Sequence, residues 1–179
     1  MDCYDITIGG VKRSLPIVPL SDTVSIAAFV IFGDTEIVEP CARALAERLP
    51  PADYLITAEA KSIPLIYEMA KVMKMPRYII ARKSVKGYMA HPIVTRVKSI
   101  TTDKEQMLCL DESDVKLLKG ARVAIVDDVI STGGSIAAVE HLVTEAGGTV
   151  VARAAILAEG DAADRKDILY LERIPLFVK

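Results

Sequence analysis

Two adjacent aspartates, Asp127 and Asp128, stand where an apolar run meets a turn rich in hydroxyls and glycines. Residues 123–126 read Val-Ala-Ile-Val, and such a continuous run is typical of a strand that is covered on both faces of a parallel sheet. Residues 131–135 read Ser-Thr-Gly-Gly-Ser, and the residues after them have helical spacing up to Gly147. The sequence therefore predicts a buried strand, a turn and the N-terminus of a helix, with the two acids next to the turn.

The turn has the features of a phosphate-binding site. Backbone N–H groups at a helix N-terminus have no intrahelical partner, and the helix dipole favours negative charge there. Gly133 and Gly134 let the main chain approach a phosphate closely, because neither carries a Cβ atom. The hydroxyls of Ser131, Thr132 and Ser135 add hydrogen-bond donors. We therefore expect these five residues to bind a phosphate group.

The two aspartates would be repelled by a phosphate unless they bind another part of the same ligand. A vicinal diol is such a part, because two carboxylates can accept hydrogen bonds from the 2′ and 3′ hydroxyls of a ribose whose 5′-phosphate lies in the turn. The same carboxylates place negative charge near a sugar ring that becomes oxocarbenium-like when its C1 substituent leaves. A purely structural acidic corner is the alternative. A Walker loop is excluded because no Gly-Lys-Ser/Thr follows, and no Gly-x-Gly-x-x-Gly supports a dinucleotide site.

Composition favours one soluble α/β domain. The chain has 179 residues, of which 51% are hydrophobic, so it can bury a substantial core. A net charge of −2 and a pI of about 5.7 give no general electrostatic attraction to nucleic acid or to a membrane, and we expect neither as a partner. Cys3, Cys41 and Cys109 lack the spacing of a metal or disulfide site, and we find no signal peptide or long apolar span. These features favour a reduced, cytoplasmic compartment.

Strands and helices are predicted to alternate along most of the chain. A polar segment with several prolines runs to about Leu20, and an apolar stretch follows from residue 24 to residue 32. We predict strands over 54–57, 78–81, 122–126, 149–158 and within 168–178, and helices over 35–49, 63–73 and after Ser135. Residues 83–114 form a long polar excursion, which we interpret as an extended hairpin. This order predicts a twisted, mostly parallel sheet with helices on both faces.

Residues 123–135 resemble the phosphoribosyl pyrophosphate loop of the type I phosphoribosyltransferases. That loop reads as an apolar strand, two acids, three residues and then Thr-Gly-Gly-Ser or Thr-Gly-Gly-Thr, and all thirteen positions match. The resemblance implies the type I phosphoribosyltransferase fold, an α/β fold with an N-terminal hood and a mobile lid. We expect a single domain over residues 1–179, with the hood at about 1–34 and the lid at about 83–114.

A second segment resembles the pyrophosphate loop of the same family. Residues 59–62 read Glu-Ala-Lys-Ser, where adenine enzymes have Glu-Ala-Arg-Gly and xanthine enzymes have Glu-Ala-Ser-Gly. The resemblance implies that Lys61 meets a diphosphate as a point charge, without the bidentate fork of arginine. Ser62 stands where the family has glycine, so we expect it to bind substrate from a strained backbone. A solvated lysine at the start of a helix is the alternative for Lys61.

Three cations lie just past the strand predicted at 78–81. Arg82, Lys83 and Lys86 fall within five residues, and the family places an Arg-Lys pair at this point to stabilise the departing pyrophosphate. The resemblance implies a catalytic role for Arg82 and diphosphate contacts for Lys83 and Lys86, the latter from the lid. By itself, a run of cations is typical of a solvated surface.

Two segments bear on the choice of base. In the hood, Phe29 is a candidate to stack on a purine ring, with Val30 closing the other face, although Phe29 is equally suited to the core. In the lid, residues 98–106 lack the Leu-Glu-Tyr-Gly of adenine enzymes and are closer to the Ser-Phe-Thr-Lys-Gln of xanthine enzymes.

The resemblance implies a purine phosphoribosyltransferase, most simply an adenine enzyme. Such an enzyme transfers the 5-phosphoribosyl group of phosphoribosyl pyrophosphate to a purine base, with Mg²⁺ carried by the substrate and with Arg82, Asp127 and Asp128 as catalytic residues. Xanthine or hypoxanthine as the base, and a non-catalytic regulator that senses phosphoribosyl pyrophosphate, are the alternatives. A pyrimidine enzyme fits the Glu-Ala-Lys-Ser loop less well. Family resemblance also implies a homodimer.

Overall fold

The computed structural model describes residues 2–98 and 105–178, which form four α-helices, one 3₁₀ helix and eleven strands. The strands are β1 (Cys3–Ile8), β2 (Val11–Pro19), β3 (Val24–Ala27), β4 (Tyr54–Ala58), β5 (Ile79–Ala81), β6 (Ile93–Lys98), β7 (Glu105–Leu110), β8 (Arg122–Ile130), β9 (Thr149–Glu159), β10 (Leu169–Ile174) and β11 (Leu176–Val178). The helices are α1 (Thr35–Ala46), α2 (Ile63–Val72), α3 (Glu112–Leu118), α4 (Gly134–Glu145) and the 3₁₀ helix Gly160–Asp164.

The central sheet is parallel, in the order β10-β9-β8-β4-β5. Strand β8 lies in its middle, and its successive residues face opposite sides of the sheet. Ala124 and Val126 pack in one core, whereas Val123 and Ile125 pack in the other. The prediction of a strand buried on both faces is therefore confirmed, as is the mostly parallel α/β sheet.

Helices cover both faces of this sheet. Ile37 of α1 and Leu65 of α2 pack in the core that holds Ala124, while Leu118 of α3 and Leu142 of α4 pack in the core that holds Val123. The helices predicted to begin near residues 35, 63 and 135 are confirmed as α1, α2 and α4. Each of them ends slightly before its predicted limit, at Ala46, Val72 and Glu145. These helices fix the strand ends at which the candidate site lies.

The N-terminal segment differs from the expectation. Residues predicted as a polar segment form the antiparallel hairpin β1-β2, and β3 pairs with β11 from the C-terminus in a sheet of order β1-β2-β3-β11. Strand β3 stops at Ala27, so the rest of the apolar stretch to residue 32 is irregular. The predicted hood segment thus contributes three strands to an antiparallel sheet, and β11 is the fourth strand.

The polar excursion contains the predicted hairpin, formed by β6 and β7. Helix α3 begins in its last residues and was not predicted. Residues 99–104, which carry most of the lid stretch that departs from the adenine pattern, lie outside the described residues. None of the described helices is long and apolar enough to cross a membrane.

Candidate active site

The acid pair near the end of β8 touches the loop after β4, because β4 and β8 are parallel neighbours. The Ser62 hydroxyl lies 2.8 Å from Asp127 Oδ1 and 3.3 Å from Asp128 Oδ1, so it can donate to either carboxylate. Asp127 Oδ1 also accepts the backbone N–H of Asp128 at 2.9 Å. The structure therefore brings the two loops that were identified from the sequence into direct contact through Ser62.

Lys61 lies on the acid pair rather than apart from it. Its Nζ is 2.8 Å from Asp128 Oδ2, which is an ion-pair distance, although that oxygen accepts no hydrogen bond of good geometry within the described residues. Asp128 is only 1% exposed, so its charge has little water to stabilise it. The lysine ammonium therefore compensates a buried carboxylate in this structure.

Asp127 holds a proton more tightly than an ordinary aspartate. Burial and the neighbouring Asp128 carboxylate raise the pKa of Asp127 to about 7, while the hydrogen bond from Ser62 acts in the opposite direction. Two carboxylates in contact cannot both ionise at low cost unless cations or donors surround them. The acid pair is thus poised to respond to a ligand that brings hydrogen-bond donors.

The backbone at Ser62 is not strained, which corrects the expectation from its place in a glycine position. Its φ of −85° and ψ of 3° are accessible to any residue, and it serves as the N-cap residue of α2. A non-proline cis peptide lies earlier in this loop, between Glu59 and Ala60. Serine therefore fits here and adds a hydroxyl that glycine lacks.

The predicted phosphate turn follows β8 directly and leads into α4. Gly133 adopts a φ of 82°, a left-handed conformation that favours glycine, and is the N-cap residue of the helix that starts at Gly134. Among the residues that the structure describes, no side chain caps this N-terminus. The first N–H groups of α4 are therefore free of side-chain acceptors, and the hydroxyl residues Ser131, Thr132 and Ser135 lie beside them.

Glu59 organises the cationic segment after β5, a role that the sequence analysis missed. Its carboxylate lies 3.2 Å from Arg82 Nε and accepts the backbone N–H of Lys83 at 2.9 Å. The lysine amide and the arginine both hold the pKa of the Glu59 carboxyl below its usual range. Arg82 Nη1 also donates to the Tyr88 hydroxyl at 2.9 Å. The sequence offered one clue to this role: Glu59 follows β4, and the cations follow β5, the next strand along the chain.

The remaining cations of this segment differ in exposure. The Lys83 side chain is exposed, and Lys86 is partly buried and donates to the Ser84 hydroxyl at 2.5 Å. Both follow β5 at the same edge of the sheet as the acid pair. Their predicted diphosphate contacts stay predictions.

Phe29 does not suit the stacking role that was predicted for it. It is 7% exposed and packs in the core with Ile31, so its ring has no free face for a base in this structure. The physical reason is that side chains after β3 alternate between the core and the surface, and Phe29 is one of those that face the core. Val30 is 59% exposed and Phe32 is 52% exposed, so the apolar side chains next to Phe29 that are accessible are these two.

Arg165 is a second residue that the sequence analysis missed. It follows the 3₁₀ helix after β9, and its guanidinium lies against Gly133 of the phosphate turn. The only clue available in the sequence was its place after the strand that follows the phosphate helix.

Comparison with known proteins agrees with this arrangement. The "Phosphoribosyl transferase domain" family matches residues 36–175. A xanthine phosphoribosyltransferase of Chloroflexus aurantiacus is 34% identical over 127 residues, which cover 69% of this chain and 58% of that protein. An adenine phosphoribosyltransferase of Nocardia farcinica is 32% identical over 127 residues, which cover 71% of this chain and 64% of that protein. The chain thus spans roughly three fifths of the length of these two relatives.

Among solved structures, the adenine phosphoribosyltransferase of Thermoanaerobacter pseudethanolicus superposes with a TM-score of 0.70 at 22% identity, covering 89% of this chain and 95% of that one. This likeness confirms the predicted fold class. The family match extends over well more than half of the chain and includes the acid pair, the phosphate turn and both neighbouring loops. This chain therefore belongs to the phosphoribosyl transferase family and has its type I fold.

Proposed function

We propose that this protein is a purine phosphoribosyltransferase, with adenine as the first candidate base. The observation that carries the proposal is the Asp127–Asp128 pair, which stands between an uncapped helix N-terminus and a lysine-bearing loop. The relatives at 28–34% identity named for xanthine, adenine, and hypoxanthine/guanine support purines as a class and leave the base itself to experiment.

Each part of phosphoribosyl pyrophosphate has a chemically matched group in the proposed complex. The 5′-phosphate binds the amides and hydroxyls of residues 131–135, and the ribose diol binds Asp127 and Asp128. The diphosphate binds Lys61, once that side chain has left Asp128, and the cations Arg82, Lys83 and Lys86. Lys61 then moves from the Asp128 carboxylate to the diphosphate, so its ammonium group has an anionic partner both before and after the substrate binds.

The proposed reaction needs no covalent intermediate on the protein. A ring nitrogen of the base forms a bond to C1 of the ribose while the bond from C1 to the pyrophosphate oxygen breaks, and the bonding electrons leave with pyrophosphate. The proton on the attacking nitrogen passes to solvent or to the pyrophosphate. Asp127 and Asp128 favour the positive charge that develops on the ring, and Arg82 favours the negative charge on the leaving group.

Mg²⁺ is the proposed cofactor, bound chiefly by oxygens of the diphosphate and by water. Magnesium prefers six oxygen ligands and commonly retains several waters, so the diphosphate and water would supply most of its ligands. No group of three potential metal-ligating side chains converges within the described residues. When bound, Mg²⁺ supplies charge neutralisation on the leaving diphosphate.

A regulator that senses phosphoribosyl pyrophosphate without turnover is the second candidate. One observation favours it: Lys61 and Ser62 already bind the acid pair, so ligand binding would remodel these contacts even without chemistry. A homodimer and a cytoplasmic location follow from the resemblance and from composition, and both stay predictions.

The deciding experiment measures pyrophosphate release. The protein is incubated with phosphoribosyl pyrophosphate, Mg²⁺ and adenine, xanthine, hypoxanthine or guanine in separate reactions. We expect release with at least one purine, and a loss of about a hundredfold or more in Asp127→Asn. Glu172→Gln, an exposed acid on β10, removes the same charge away from the site and should leave the rate unchanged. Binding of phosphoribosyl pyrophosphate without release from any base would favour the regulator.

A further inference from the structure

Arg165 reaches the phosphate turn from the neighbouring strand. Strand β9 pairs with β8 in parallel register up to Ala158, so the segment after β9 emerges beside the turn that follows β8. The 3₁₀ helix Gly160–Asp164 occupies that position, and Arg165 is its C-cap residue.

The guanidinium occupies the space over Gly133. A Cβ atom placed on Gly133 would lie 2.6 Å from Arg165 Nη1, which is closer than real Cβ atoms approach other heavy atoms. Glycine at this position therefore serves two purposes, since it adopts the left-handed conformation and leaves room for the arginine. The contact joins a cation to the turn.

Asp167 holds this guanidinium in place. Arg165 Nε donates to Asp167 Oδ1 at 2.9 Å, and Nη2 donates to Oδ2 at 2.6 Å, which is the two-pronged arrangement of arginine on a carboxylate. The arginine side chain is 34% exposed, so it is packed and still accessible. The ion pair fixes the orientation of the guanidinium with Nη1 toward the turn.

The N–H groups of Arg165 Nη1 make no hydrogen bond within the described residues. Within residues 2–98 and 105–178, the hydrogen bonds of Arg165 run from Nε and Nη2 to Asp167, and Nη1 has no acceptor. Glu140 of α4 also acts on Arg165 through its charge, and it is bound by Arg153, whose Nε donates to it at 3.0 Å. An anion in the turn would therefore find an oriented donor at Nη1, the one nitrogen of the guanidinium that Asp167 does not engage.

We propose that Arg165 is a binding residue for the 5′-phosphate, donating from Nη1 to the phosphate held by residues 131–135. This inference rests on the proposed function and deepens it. The donors of the turn itself are neutral amides and hydroxyls, while Asp127 and Asp128 next to the turn repel a phosphate. A phosphate monoester carries a charge of about −1.5 to −2 at neutral pH. Nη1 of Arg165 supplies a charge-assisted hydrogen-bond donor, which the turn itself lacks.

The test compares binding of ribose 5-phosphate with binding of inorganic pyrophosphate, each by calorimetry. Arg165→Met should weaken ribose 5-phosphate by roughly tenfold to a hundredfold, the range expected for a hydrogen bond between charged groups. Arg165→Lys should recover part of this loss, because it restores the charge without the fork. Affinity for pyrophosphate, whose proposed contacts lie on the other loops, should stay unchanged in both variants.

Arg173→Met is the matched control. Arg173 is an exposed residue on β10 that forms an ion pair with Asp164 at 3.6 Å, so its loss changes the net charge equally and should leave ribose 5-phosphate affinity unchanged. An unchanged affinity in Arg165→Met would overturn the inference, as would an equal loss for both ligands or an equal loss in Arg173→Met. Failure of the unmodified protein to bind ribose 5-phosphate would instead reject the proposed function itself.

Discussion

At the scale of single residues, Asp127 shows the cost of building a diol site from two adjacent acids. Its carboxyl has a pKa raised to about 7 in the folded protein, against about 3.9 in an unfolded chain. The folded state therefore binds this proton more tightly than the unfolded state does. Its charged form destabilises the fold by an amount that is absent below pH 4, grows as the pH rises towards 7 and is complete above it.

Asp127→Asn should accordingly stabilise the fold at high pH while it weakens substrate binding. The asparagine Oδ1 can still accept from Ser62 and from the Asp128 amide. We expect the unfolding midpoint at pH 8 to rise by ~2 °C or more, and this gain to shrink at pH 5. Thermal unfolding of Asp127→Asn and of the surface control Glu172→Gln at both pH values measures this. A gain that is the same at pH 5 and pH 8 would contradict the raised pKa.

At the scale of elements, Arg13 links the predicted hood segment to the start of α1. Arg13 of β2 donates from Nε to Asp34 Oδ2 at 2.7 Å and from Nη2 to Asp34 Oδ1 at 2.8 Å. Asp34 is also the N-cap residue of α1, where it accepts the backbone N–H of Ile37 at 3.3 Å. One carboxylate thus caps a helix and positions the hood segment.

Asp34→Ala removes both functions and should lower the free energy of unfolding by about 1–3 kcal/mol. Asp34→Asn keeps a good N-cap residue but loses the charge, so its cost should be smaller. Urea denaturation of the two variants separates the cap from the ion pair. Equal stabilities of the alanine variant and the unmodified protein would show that neither contact matters to the fold.

At the scale of the whole molecule, local patterns predicted the central sheet, and contacts between distant residues escaped prediction. The stretch from Val123 to Ser135 carries its own strand, turn and helix start, so it predicted the centre of the fold and the candidate site together. Hairpin β1-β2 was missed because Pro16 and Pro19 argue against a strand, although Gly9-Gly10 between the two strands is a typical hairpin turn.

At the candidate site, the sequence did not predict which side chains contact each other. The pairing of Lys61 with Asp128 and the approach of Arg165 to Gly133 join residues that are far apart in sequence and depend on the strand order. The burial of Phe29 depends on which way the chain faces after β3, which an irregular apolar stretch does not reveal. Residue types therefore indicated the chemistry, and the fold assigned the partners.

A crystal structure of the protein with phosphoribosyl pyrophosphate and Mg²⁺ tests the central claim most directly. We predict the 5′-phosphate on the amides of residues 131–135, the ribose hydroxyls on Asp127 and Asp128, and the Lys61 ammonium moved from Asp128 to the diphosphate. A ligand bound elsewhere, or Lys61 still paired with Asp128 beneath a sugar that makes no contact with either acid, would contradict the account.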